Sequence, residues 1–142
     1  MANVIATAQV DIAAPAAQVW NALTDPEIIA RYFFGARVLT DWQPGSQIVW
    51  QGEYQGRPYQ DKGRILEAEP GRRLRVTHFS PSTGLPDVPE NYHTITYELD
   101  EQGGTTHLCL SQDNNGDEAE AQRATQNWEM MLAALKKTVE AG

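Results

Sequence analysis

The chain has 142 residues, 41% hydrophobic and 21% charged, the size and balance of one globular domain rather than a disordered segment. Nineteen acidic side chains against eleven basic ones give a formal net charge of −8, and no basic run occurs, which argues against nucleic acid and anionic lipid surfaces as partners. The single cysteine, Cys109, excludes an internal disulfide and a multi-thiolate metal site, and no stretch approaches the roughly 20 apolar residues that span a bilayer.

Residues 1–5 carry no basic or signal-like apolar run, so a cytoplasmic protein without membrane insertion is expected. Residues 4–12 alternate loosely and predict a first strand. Pro15 suits the first turn of a helix, where its missing N–H is harmless, and Ala16, Val19, Trp20 and Leu23 recur at helical spacing. Thr24, Pro26 and Glu27 read as a second helix start with Thr24 as the cap. The two short helices end near Tyr32-Phe33-Phe34-Gly35.

Strands and turns follow. Residues 36–40 predict a short strand and Pro44-Gly45 a turn. Over residues 46–54, Ile48, Trp50 and Tyr54 share one face. Gln55-Gly56-Arg57 closes a hairpin into residues 58–67, and Glu69-Pro70-Gly71-Arg72 has the type II arrangement. Residues 73–79 place Leu74, Val76 and His78 together. Residues 80–90, with Pro81, Gly84, Pro86 and Pro89, predict an irregular loop. In residues 92–99, His93, Ile95, Tyr97 and Leu99 alternate with Thr94, Thr96 and Glu98. After Gln102-Gly103-Gly104, residues 105–111 set Leu108 and Leu110 opposite Thr105, His107 and Cys109. Asn114-Asn115-Gly116 breaks the chain before the strongest helix, 117–140. Its apolar face carries Ala121, Ala124, Trp128, Met131, Leu132, Leu135 and Val139.

The expected fold is α+β. A curved antiparallel sheet of six to seven strands wraps around the long C-terminal helix, and two short helices plug one end of a single domain spanning residues 1–142.

Particular residues sharpen that order into a resemblance. The opening run from Ile12 through Pro15, Val19, Trp20 and Leu23 to Pro26 and Glu27 resembles the START-like (SRPBCC, helix-grip) superfamily. Within it, Trp42-Gln43-Pro44-Gly45-Ser46, Gly63-Arg64-Ile65-Leu66-Glu67-Ala68-Glu69-Pro70 and Thr96-Tyr97-Glu98-Leu99 resemble the family of homologues of the activator of heat-shock-protein-90 ATPase. So does the tail from Asn127-Trp128-Glu129 to Leu135-Lys136. The likeness covers nearly the whole chain. It implies a cavity between sheet and final helix for a small hydrophobic molecule, lipid-like binding, and a family setting that includes stress response. It implies no catalytic motif and no cofactor, and it leaves open a homodimer or chaperone contact.

The expected ligand-binding residues are Phe33, Trp50, Tyr54, Tyr59, Val76, His78, His93, Ile95, Tyr97, Leu108, Trp128, Met131 and Leu132, because aromatic groups offer apolar area together with polar handles. The same residues also suit plain core packing. His78 and His93 flank the proline-rich loop and should sit nearly opposite each other on the concave face, where two imidazoles can orient a polar group or relay a proton. They are the basis of an alternative, a cavity enzyme of cyclase or hydrolase type; the other alternative is a co-chaperone-like interaction module. A metal would need a third ligand from Asp61 or Glu90, and none is expected. Asp61, Lys62 and Arg64 read as solvated charges of the convex face. Cys109, facing away beside His107, reads as a bystander thiol. Leu85 and Val88 suggest a loop that closes over the pocket or makes a dimer contact, against the alternative of a stiff connection.

Overall fold

The chain builds a seven-stranded antiparallel sheet, curved around one long helix, in a computed structural model that describes residues 4–142, Tyr54 by its backbone alone. Strand β1 (Val4–Ile12) is followed by helices α1 (Ala16–Thr24) and α2 (Pro26–Tyr32). Then come β2 (Arg37–Leu39), β3 (Gln47–Tyr54), β4 (Arg57–Glu69), β5 (Arg73–His78), β6 (His93–Gln102), β7 (Thr105–Asn115) and helix α3 (Glu118–Glu140). The order across the sheet is β1-β7-β6-β5-β4-β3-β2. Only β1 departs from a simple meander, because the chain returns to pair β7 with it. This is the expected helix-grip arrangement. No helix among the described residues is long and apolar enough to cross a membrane.

Two local expectations are corrected. The cap of α2 is Asp25, not Thr24: the Asp25 carboxylate accepts the Glu27 N–H at 2.9 Å. The Thr24 hydroxyl donates back to the Trp20 carbonyl, the competing bond that short hydroxyl side chains make inside helices. The second correction concerns Asn114-Asn115. The strand runs through it, because Asn114 takes a left-handed backbone (φ 56°) that asparagine tolerates, and the register with β1 slips between Val4↔Asn115 and Ala6↔Gln112.

One face of the sheet is the core. Ile48 of β3, Ile65 of β4, Leu74 and Val76 of β5, Ile95 and Leu99 of β6, and Leu108 and Leu110 of β7 all point to it. Helix α3 crosses that face chiefly along β1 and adds Met131, Leu132, Leu135 and Val139. Its N-terminus is capped by Asp117, which accepts from the Glu120 N–H at 2.8 Å, and acidic residues in the first turn suit the helix dipole.

The sheet has two unlike ends. At the end where β1 stops and α1 begins, Ile12, Val19, Leu108 and Leu135 keep no exposure at all. Polar groups there are tied off: Lys136 Nζ donates to the Asp11 carbonyl (2.6 Å), the Ala13 N–H to Glu140 (2.8 Å), and the buried Thr106 hydroxyl to the Ala14 carbonyl (2.7 Å). The bonds from Ala13 and Lys136 hold the Glu140 carboxyl below its ordinary range. At the opposite end, where β3, β5 and β7 finish and α3 starts, Trp50, Tyr59 and Trp128 are half-buried while Ala6 and Asn115 are buried.

The loop between β5 and β6 is not a lid. It folds onto the outer face, where Phe79 stacks on Tyr92 (ring centres 5.1 Å), Lys62 pairs with Asp87, and the Tyr92 hydroxyl donates to Asp87 at 2.6 Å. Leu85 lines a cleft there with Phe79 and Lys62, on the far side of the sheet from α3. The parity of the strands decides this: His78 faces inward, so Phe79 and the loop it leads begin outward.

Candidate functional site

Four strands place ionisable side chains at this second end of the concave face. His78, last in β5, and His93, first in β6, are direct cross-strand partners. Their rings stack with centres 6.4 Å apart and planes 26° apart. The expectation that they sit opposite each other is met. His78 Nε2 donates to Asp61 Oδ2 at 2.9 Å, and Trp50 packs edge-on against the His78 ring at 5.0 Å.

Asp61 therefore faces inward, which corrects its assignment to the convex face. It pairs across the strands with Trp50, and it shares the parity of Gly63 and Ile65. The pattern was hard to read because Gly63 contributes no apolar signal at the position between them. That glycine is required by close approach: a Cβ on it would lie 1.7 Å from the Thr77 carbonyl oxygen, so β4 can pass tightly beside the end of β5. The Asp61 side chain is 15% exposed, and its Oδ1 is buried with no hydrogen-bond partner. A buried carboxylate oxygen left unpaired is costly, so this atom marks a place where a donor belongs.

Tyr59, next inward residue along β4, lies over Gly52, where a Cβ would come within 2.6 Å of the phenol oxygen. Burial, and then the Asp61 charge, push the Tyr59 phenol up from its ordinary pKa. The slip in β7 serves the site as well. It presents the Asp113 carbonyl to His93 Nδ1 (2.8 Å), and the Asp113 carboxylate accepts the Thr94 N–H at 2.6 Å.

The opposite wall comes from helices. Phe33, at the end of α2, meets Trp128 of α3 edge to face at 6.2 Å. The Trp128 indole N–H donates to Gln112 Oε1 at 2.8 Å. Gln112 in turn donates to Asn115, a fully buried amide that also bonds the Val4 carbonyl at 2.8 Å. Gln112, Asp113 and Asn115 were missed from sequence; their only signal was polarity near the end of a strand.

The expected site residues thus divide. Phe33, Trp50, Tyr59, His78, His93 and Trp128 stay half-buried around this end. Val76, Ile95, Leu108, Met131 and Leu132 are buried members of the core cluster. Tyr97 is partly exposed as a residue, but burial drives its phenol pKa up strongly. The side chain of Tyr54 lies outside the described residues. Trp128 and Ala124, expected on the buried stripe of α3, are both half-buried, whereas Ala121, one turn nearer the helix start, is buried.

Elsewhere the chemistry is quiet. Cys109 faces outward near Glu98, and burial together with that charge raises its thiol pKa, the reverse of an activated nucleophile. His107 bonds Asp11 at 2.7 Å and Gln9 at 2.9 Å across the strands. Among the described residues, no three His, Cys, Asp or Glu side chains group closely enough to hold a metal ion.

With this geometry established, comparisons with known proteins are informative. A family model described as "Activator of Hsp90 ATPase homolog 1-like protein" matches residues 13–140. The solution structure of ChR145 from Cytophaga hutchinsonii is 47% identical, covers 97% of this chain and 94% of that one, and superposes with a TM-score of 0.85. CalU16 from Micromonospora echinospora is 25% identical, covers 98% of this chain and 87% of its own, and has a TM-score of 0.74. NE0264 from Nitrosomonas europaea, 19% identical with 98% and 94% coverage and a TM-score of 0.76, shows the shared fold alone. No curated protein matches the chain.

Proposed function

The chain belongs to the Activator of Hsp90 ATPase homolog 1-like family, and from that premise we propose that it binds a small hydrophobic or amphipathic molecule in the hollow between sheet and α3. The fold family is compatible with ligand binding. One observation carries the reading: half-buried aromatic side chains, Phe33 with Trp128 and Trp50 with His78, lie at the same end of the concave face as the His78–His93 stack and Asp61. Aromatic groups left half-covered beside an unpaired carboxylate oxygen are unsatisfied on both counts. An apolar body with one polar end would satisfy them together.

Native mass spectrometry of freshly purified protein tests this reading. A co-purifying small molecule, released on denaturation, is the expected result. A clean apo mass, with no thermal shift across a library of hydrophobic compounds, would overturn it.

The Asp61–His78 pair favours a second reading, a cavity enzyme, because a carboxylate that orients an imidazole is an arrangement used in general base catalysis. Its signature would be chemical change of the captured molecule, abolished in His78→Ala while capture persists.

A further inference from the structure

The hydrogen bonds of His78 and His93 fix which ring nitrogens carry protons. A carbonyl oxygen only accepts, so His93 Nδ1 is the donor to Asp113, and a neutral His93 keeps a bare lone pair on Nε2. A carboxylate likewise only accepts, so His78 Nε2 is the donor to Asp61 Oδ2, and a neutral His78 keeps its lone pair on Nδ1. Asp61 Oδ1 is buried and unpartnered.

The Asp61 carboxylate therefore has one oxygen bonded to His78 and one without a partner. Among the described residues no lysine or arginine forms an ion pair with Asp61: Lys62 of the same strand pairs with Asp87 on the outer face, and Arg64 reaches the Gly45 carbonyl. Half-buried Trp50 stands beside the His78–Asp61 pair, an aromatic group of the kind that attracts a cation.

Resting on the binding reading above, we propose that the ligand carries a hydrogen-bond-donating cationic head, a protonated primary or secondary amine, seated on the Asp61 carboxylate with its apolar body against Trp50. A carboxylate head would meet a like charge. An alcohol would use one acceptor and leave the charge unanswered.

The test uses three probes with one apolar body: 3-phenylpropylamine, 3-phenylpropan-1-ol and 4-phenylbutyrate, titrated into the full chain and followed by NMR. The amine is expected to bind about tenfold or more tightly than the alcohol, and the carboxylate more weakly than either. The amine should move the His78 and His93 ring signals and the Trp50 indole N–H. Those shifts on unaltered protein locate the head whether or not a variant folds. Asp61→Asn should bring the amine down to the affinity of the alcohol. Equal binding of all three probes, or preference for the carboxylate, overturns the head-group assignment while leaving the binding reading. Failure of every probe overturns both. Amine shifts confined to the acidic outer face overturn the assignment as well.

Discussion

The two ends of the concave face are made by the same strands and the same helix, yet they differ in completeness. At the α1 end the innermost apolar side chains are fully covered, with Trp20 and Trp42 half-buried beside them. Ile12, Val19, Leu108 and Leu135 are sealed, and the nearby polar groups bond one another. At the α3-start end, aromatic rings remain half-exposed and Asp61 Oδ1 has no partner. The sealed end is where close packing contributes stability; the other end is where the proposed ligand would complete the unpaired carboxylate. The lesson is that an incomplete hydrogen-bond inventory, rather than hydrophobicity, separates the site from the core.

The largest test of this contrast is Leu135→Ala, which opens a hole in the sealed end. It should cost about 3–5 kcal/mol in denaturant unfolding; a loss under about 1 kcal/mol would mean that this end is not close-packed. Asn115→Ala comes next. It removes the amide that ties β7 to Val4 and steadies the Gln112–Trp128 bond, and should cost about 1–3 kcal/mol by the same measurement. Trp50→Ala, at the other end, should cost only about 1–2 kcal/mol because the ring is half-exposed, while abolishing the thermal shift given by a bound ligand. A variant that loses stability on the scale of Leu135→Ala would erase the difference between the ends.

The smallest effect concerns the outer loop. Bonds from Lys62 and then Tyr92 lower the Asp87 carboxyl pKa in the folded protein. A lowered folded value means that the stabilisation is fully present above the ordinary Asp range, about 3.9, and is lost as pH falls through the lowered one. Amide exchange in residues 81–91 should therefore rise on acidification below that range, and this rise should vanish in Asp87→Asn. A pH response centred on the proposed binding end instead would place the sensitive group wrongly.

The strands, the three helices and the inward set from Ile48 to Leu110 were legible from alternation and helical spacing, because a half-buried element must carry its burial in its period. The pairing of His78 with His93 was legible for the same reason, both being inward residues at the two sides of one loop. What could not be read was anything that depends on register or on a bulge. Asp61 turned inward only because β3 pairs Trp50 with it, next to a glycine that hides the parity. Asp113 and Asn115 became anchors only because β7 slips against β1. Trp128 belongs to the apolar stripe by spacing, but how deeply it is covered depends on where the sheet curves away from the helix.

The four tryptophans give the most direct test of the central claim, since Trp50 and Trp128 lie at the proposed binding end while Trp20 on α1 and Trp42 before β3 lie toward the other end. In a titration with a hydrophobic ligand, followed by the indole N–H signals, Trp50 and Trp128 should shift together and Trp20 and Trp42 stay still. Movement of Trp20 and Trp42 alone, with Trp50 and Trp128 unchanged, would contradict the account.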